Sequence, residues 1–133
     1  DALMSFIDSD DGANLLVAYK RAVNILRIEE KKDHQSYQAI PDPDRLKLEE
    51  EKKLEVALSF VLSNLSQNLA KEAYSEVMVQ LAGLRAPIDA FFDKVTVNCE
   101  DRMLRVNRLQ LLSQIRDTMN RIADFSQIEG GDR

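Results

Sequence analysis

The sequence predicts an all-α fold, a helical bundle of about five helices. Three observations carry this. Helix-forming residues dominate the 133-residue chain, with only 4 glycines and 3 prolines. Apolar residues recur at three- and four-residue spacing over several separate stretches. Capping and stop residues mark the ends of those stretches.

Length predicts one domain. A chain of this size buries about two thirds of the surface it exposes when unfolded, so a core forms without staples. Hydrophobic content of 44% and charged content of 31% are those of a globular protein. Cys99 stands alone, which excludes an intramolecular disulfide and fits a reducing compartment. No signal peptide is visible in the sequence, and no apolar run approaches the roughly 18 residues of a membrane span. A cytoplasmic protein is expected. The opening DALMSFI looks like a cut through something longer, so the chain reads as an excised fragment whose function belongs to a parent protein.

Residues 1–9 read as the tail of a preceding element, residues 10–128 as the domain, and residues 129–133 as a disordered tail. Asp10, Asp11 and Gly12 form a turn and cap a first helix that runs to about Glu30. Its apolar face holds Leu15, Tyr19, Ala22, Val23 and Leu26. Opposite lie Lys20, Asn24 and Arg27 at i, i+4 and i+7, with Arg21 nearby; taken alone, that stripe reads as a solvated helix back.

Residues 30–43 are a polar linker ending in Pro41 and Pro43. His34 sits there without a second ligand type nearby and reads as a solvent-exposed side chain. The next helix starts near Asp44, capped by Asp42 or Asp44, with Glu49, Glu50 and Glu51 favouring its N-terminal end. Its first turns, RLKLEEEKKLE, should stand in solvent. From Leu54 to Leu65 it is apolar over a wide arc that includes Phe60 and Val61, which calls for neighbours on more than one side.

Ser66, Gln67 and Asn68 interrupt the pattern. A further helix over roughly 69–82 follows, burying Leu69, Ala73, Val77, Met78 and Leu81, and Gly83 stops it. The two helices should pair as an antiparallel hairpin. A short helix then begins around Pro87 and carries Phe91 and Phe92, one of them core. Residues 95–98 form an extended connector, and Glu100 and Asp101 cap a long helix. Leu104, Leu111, Leu112, Ile115, Met119 and Ile122 make its apolar face.

The long helix is the chemical anomaly of the chain. It carries Arg102, Arg105, Arg108, Arg116 and Arg121 against the single acid Asp117, in a protein whose net charge is -5. Arg108 falls in the middle of the apolar face and must be paired; Asp93 or carbonyls of residues 95–100 are the expected partners. Arg102, Arg105 and Arg116 fall on one flank with Asn120, the better candidate for a ligand surface. A solvated basic face is the alternative. No glycine-rich phosphate loop, metal-ligand set or nucleophile–base pair is present, so neither a catalytic nor a metal site is expected in this chain. Asp89 and Asp93 at i, i+4 read as dipole and ion-pair partners, not as a catalytic pair.

The blocks LRAPIDAFFDKVTVN, the D-x-x-L-R-x-N-R-L run from Asp101 to Leu109, and IADFSQI resemble the C-terminal end of the beta subunit of bacterial two-subunit glycyl-tRNA synthetases. GANLLVAYKRAVNILRIEEKKD resembles a segment upstream in the same subunit. The basic helix is also similar to the anticodon-binding domain named for Asp-Ala-Leu-Arg, of which only Leu104-Arg105 survives here after Asp101.

The resemblance implies a non-catalytic anticodon-binding module of a glycine–tRNA ligase. Aminoacylation with ATP and magnesium would take place elsewhere in the holoenzyme. Expected partners are tRNA-Gly, the rest of the beta subunit and the alpha subunit, with no cofactor in this fragment, no membrane and no DNA. The surface reading then nominates Lys20, Asn24, Arg27, Lys94, Asn98, Arg102, Arg105 and Arg116 as tRNA contacts, with Arg21 and Arg85 as second choices. Two other readings are a helical assembly module, which would leave the wide apolar arc partly exposed, and an anticodon-binding domain of an arginyl-type synthetase.

Overall fold

The computed structural model describes residues 9–38, 41–70 and 74–131. The expected tail of a preceding element, residues 1–8, lies outside them, as do residues 132–133. The described elements are all helical: α1 (Asp10–Asp33), a 3-10 turn (Pro43–Arg45), α2 (Glu49–Ala70), α3 (Tyr74–Ala82), α4 (Arg85–Lys94) and α5 (Arg102–Gly131). The all-α class is as the sequence predicts. α1 packs along α5, and α2 packs on α3, α4 and α5. Between them lies one core built on Leu15, Leu26, Leu54, Leu58, Leu81, Ile88, Phe91, Leu111, Leu112 and Ile115.

Ser9 caps α1, one residue ahead of the expected turn; its hydroxyl accepts the Gly12 N–H at 3.1 Å. The helix also runs past Glu30. It ends at His34, which takes a left-handed conformation (φ 57°) and donates its backbone N–H to the Glu30 carbonyl. His34 is exposed, as expected.

The linker, whose order the sequence leaves open, is stitched down where it is described. Tyr37 is 3% exposed. Its N–H donates to Glu30 Oε2 (2.9 Å) and its hydroxyl to Asp33 Oδ2 (2.6 Å). Further on, the Asn107 amide clasps Asp42 twice, accepting its N–H (2.7 Å) and donating to its carbonyl (3.0 Å). Residues 34–38 and 41–48 thus form two parts of a strap, one at the end of α1 and one leading into α2.

α2 starts at Glu49, five residues after the expected Asp44, because Asp42 caps the intervening 3-10 turn instead, accepting the Asp44 N–H at 3.0 Å. Its first turns stand only partly in solvent: Arg45, Lys47, Glu49, Lys52 and Lys53 are exposed, but one side is not. Glu51 is wholly buried, and Leu46 and Leu54 lie in the core. Glu51 shares a helical face with Leu54 and Leu58, so the burial of that face carries the carboxylate inward. The polar residues 66–68 do not break the helix, which continues to Ala70. Residues 71–73 and the Leu69 side chain lie outside the described residues. Val77 and Leu81 are buried as expected, and Met78 packs against the core.

Gly83 does stop α3, but without a left-handed conformation; no described glycine has positive φ. The chain turns tightly into α4, whose Phe91 is core and meets half-buried Phe92 edge to face at 5.7 Å. Val95 and Val97 pin the connector. Asp101 caps α5, accepting the Leu104 N–H at 3.1 Å. α5 then extends to Gly131, into the tail expected from residue 129.

Candidate nucleic-acid interface

The arginines of α5 divide by partner. Arg108 is buried as predicted, and its Nη1 donates to the Thr96 carbonyl at 2.7 Å, within the expected connector. Its acidic partner is not Asp93. Nη2 meets Glu51 Oε1 at 2.8 Å, while Asp93 is exposed beside Lys94 at 3.6 Å. Asp93 lost the role because Glu51, three residues before buried Leu54, is already held inside the core.

Arg105 and Arg116 do not form a free flank with Arg102, and that expectation is corrected. Arg105 Nη2 bridges Asp33 (2.7 Å) and Glu29 (3.0 Å) of α1, its Nε donates to Asn98 Oδ1 (2.9 Å), and its Nη1 reaches the Tyr37 hydroxyl (3.5 Å). Burial works against the Arg105 charge, but the hydrogen bonds to Asp33, Glu29 and Tyr37 outweigh it and raise the guanidinium above its ordinary pKa. The Tyr37 hydroxyl, then Arg105, hold the Asp33 carboxyl below the ordinary carboxylate value. Arg116 faces Glu30 at 3.4 Å, donates to Ser113 Oγ at 3.1 Å and lies 3.7 Å from Asp117. Arg102 is exposed and has no ion-pair partner among the described residues.

This pairing sets the charge of α1. Past its first turn, the acids of α1 are Glu29, Glu30 and Asp33. All of them are drawn toward Arg105 and Arg116. The outward face then carries Lys20, Arg21, Asn24, Arg27, Lys31 and Lys32, with exposed Val17 and Ile28 and no acid. Arg27 Nη2 donates to Asn24 Oδ1 at 2.7 Å, which orients one guanidinium of the strip. The Arg21 guanidinium lies 4.4 Å from the centre of the Phe92 ring, a cation–π contact that fixes it against α4.

The predicted stripe Lys20, Asn24, Arg27 is therefore assembled and exposed. Lys94 and Asn98 are also exposed, but each has a partner, in Asp93 and Arg105 respectively. Arg85 pairs with Asp89 at 3.7 Å. The sequence reading missed Lys31 and Lys32, and it missed the inward acids. The signal for the acids was present: Glu29 and Asp33 stand three and seven residues after Leu26, on the apolar side of α1.

Among the described residues no group of three His, Cys, Asp or Glu side chains comes together to hold a metal, and no helix is long and apolar enough to cross a membrane. Oriented guanidiniums, free ammonium groups, an amide and small exposed aliphatics suit contacts to phosphates and to unstacked bases.

Comparison with known proteins agrees with this chemistry. Residues 15–129 match the DALR anticodon binding domain. The chain is 57% identical over 131 residues to the glycine--tRNA ligase beta subunit of Rhodospirillum centenum, covering 98% of this chain and 18% of that protein. It is 46% identical to the corresponding subunit of Phenylobacterium zucineum and 43% identical to that of Cereibacter sphaeroides, each over 98% of this chain and 19% of the relative. It thus spans less than a fifth of the length of these relatives. With the family match running from the first turns of α1 nearly to the end of α5, the chain belongs to the DALR anticodon binding domain family.

Proposed function

We propose that this chain is the anticodon-loop-binding module of a glycine–tRNA ligase beta subunit. In that role it contributes tRNA recognition to an aminoacylation reaction, using ATP and magnesium, that is catalysed elsewhere in the holoenzyme. The observation that carries the reading is the acid-free basic face of α1 in a protein of net charge -5. A cationic face on an acidic domain is the footprint of a polyanionic partner. The relatives' names point to tRNA as that polyanion and to the rest of the synthetase as the neighbouring protein. A cytoplasmic location goes with the same reading.

The contact set is Lys20, Asn24, Arg27, Lys31 and Arg102, with Arg21 held on Phe92. The test is a fluorescence-anisotropy titration of the chain with a glycine-accepting tRNA transcript and an anticodon-swapped control at several salt concentrations. Tighter binding of the cognate transcript is expected. Lys20→Ala with Arg27→Ala should flatten the slope of log affinity against log salt by about 1.4, at roughly 0.7 per single-strand phosphate contact. An unchanged slope removes α1 from the interface.

A second reading, packing against other parts of the synthetase, is favoured by a different surface. Val56, Phe60 and Val79 are 64%, 57% and 66% exposed along a groove of about 650 Å³ between α2 and α3. The wide apolar arc of α2 is thus partly uncovered, and contiguous exposed apolar surface marks interaction sites. The groove and the basic strip involve different residues, so the two roles are compatible.

A further inference from the structure

Apart from the α1 strip, one hollow gathers groups that the fold does not require. The first turns of α5 line it with Arg102, Met103, Val106 and Gln110, which share one side of the helix. The strap around Asp42 and Arg45 stands opposite, fixed there by the two hydrogen bonds of Asn107 to Asp42. The space between them is about 400 Å³, within the range of small-ligand sites. Met103 is 55% exposed, and beside it Val106 packs on the core, so the floor is apolar and open.

The polar groups sit around that floor. Gln110 offers an amide. Arg102 has no ion-pair partner among the described residues, and Arg45 meets Asp42 through Nε at 3.4 Å while half of its side chain stays exposed. The Asp42 carboxylate is occupied within the strap, by Arg45 and by the Asp44 N–H at 3.0 Å. α5, which lines the hollow, is joined to α1, which carries the basic strip. Arg105 ties the first turn of α5 to Asp33 in the last turn of α1 at 2.7 Å, and Lys31 and Lys32 close the strip in that same turn.

From this we infer that the hollow receives one unstacked nucleotide of the bound RNA loop and reads its base. The inference rests on the reading of the chain as an RNA-loop binder. The base face lies on Met103 and Val106, its edge meets the Gln110 amide, and its phosphate lies between Arg45 and Arg102. A free anion would make no use of the apolar floor, and an apolar peptide would make no use of the two guanidiniums. A nucleotide uses both.

The test is an anisotropy titration of the chain with a glycine-accepting anticodon stem-loop and a panel in which each loop base is changed singly. Gln110→Ala should abolish discrimination at one loop position and leave it intact at the others. Met103→Ala should weaken binding across the panel by about 10-fold, through loss of the apolar surface that the base covers. Met103→Leu, which keeps an apolar floor, should bind as wild type does. None of these changes should alter the salt slope, because neither residue carries charge. Both side chains are at least partly exposed, so circular-dichroism melts should match wild type. If both alanine variants reproduce the wild-type panel while wild type still discriminates, the pocket is refuted and the loop-binding reading stands. A wild-type chain that binds every stem-loop alike refutes both.

Discussion

Removing the Arg108 side chain tests the buried centre of the fold. In Arg108→Ala the Glu51 carboxylate, wholly buried, loses the one cation that pairs with it among the described residues. Two hydrogen bonds go with it, the 2.8 Å contact to Glu51 and the 2.7 Å contact to the Thr96 carbonyl. The second of these ties the connector between α4 and α5 to the bundle. Hydrogen bonds to charged groups contribute about 1.5–3 kcal/mol each, and breaking a buried pair from one side costs about 3–5 kcal/mol. Total stability of a domain this size is about 5–15 kcal/mol, so the loss is large and easily measured. Urea unfolding followed by circular dichroism at constant pH gives the value. The pair itself is imperfect: Glu51 Oε2 and Arg108 Nε have no hydrogen-bond partner among the described residues. Arg108→Met combined with Glu51→Leu should therefore recover most of the loss, less the 3.2 Å bond that Glu51 accepts from the Leu48 N–H. A single-variant loss under 1 kcal/mol, or a double variant worse than the single, would refute the account.

Arg105→Ala should lower stability by about 2–3 kcal/mol, since the guanidinium joins α1, the strap and the connector. An unchanged urea midpoint with a flattened salt slope of RNA binding would return Arg105 to the interface. Asp33 gives a pH test. Its folded pKa is depressed, so its contribution is present above the unfolded value of about 3.9 and is lost as pH falls through the lower folded value. Tyr37→Phe removes the largest cause of the depression. The stability difference between wild type and that variant should be constant near neutral pH and shrink below about pH 4. A difference that grows on acidification would contradict the assignment.

The periodicity of the chain made the helices legible, and also the core positions Leu15, Ala22, Leu26, Leu58, Leu65, Leu81, Leu111, Leu112 and Ile115. Arg108 was legible as a paired charge because a guanidinium in an apolar stripe leaves no other choice. What failed were assignments that needed the relative placement of distant helices. Charged residues were sorted outward by type, so Glu51 was left in solvent and Arg105 and Arg116 on a free flank. Their helical phase already set Glu29, Asp33 and Glu51 on apolar faces, but only the α1–α5 and α2–α5 contacts show which cation meets each. The strap escaped for a similar reason. Tyr37 and Asp42 have no local period; Tyr37 is held by Glu30 and Asp33 of α1 and met by Arg105, 68 residues on, and Asp42 is held by Asn107, 65 residues on.

These pairings decide which helix can meet a polyanion. A basic α5 looks like the nucleic-acid surface when read alone. In the fold, Arg105 and Arg116 are spent on α1, and α1 becomes the cationic face because its acids have been turned inward. The net charge of -5 does not oppose this arrangement at working ionic strength. Exposed charges more than about 8 Å apart are largely screened near 0.15 M salt, so an approaching phosphate responds to the strip and not to the total. Loosening the α1–α5 pairs should therefore damage binding indirectly. Freed carboxylates of Glu29 and Asp33 would add negative charge beside Lys31 and Lys32, and affinity would fall without any contact residue being lost.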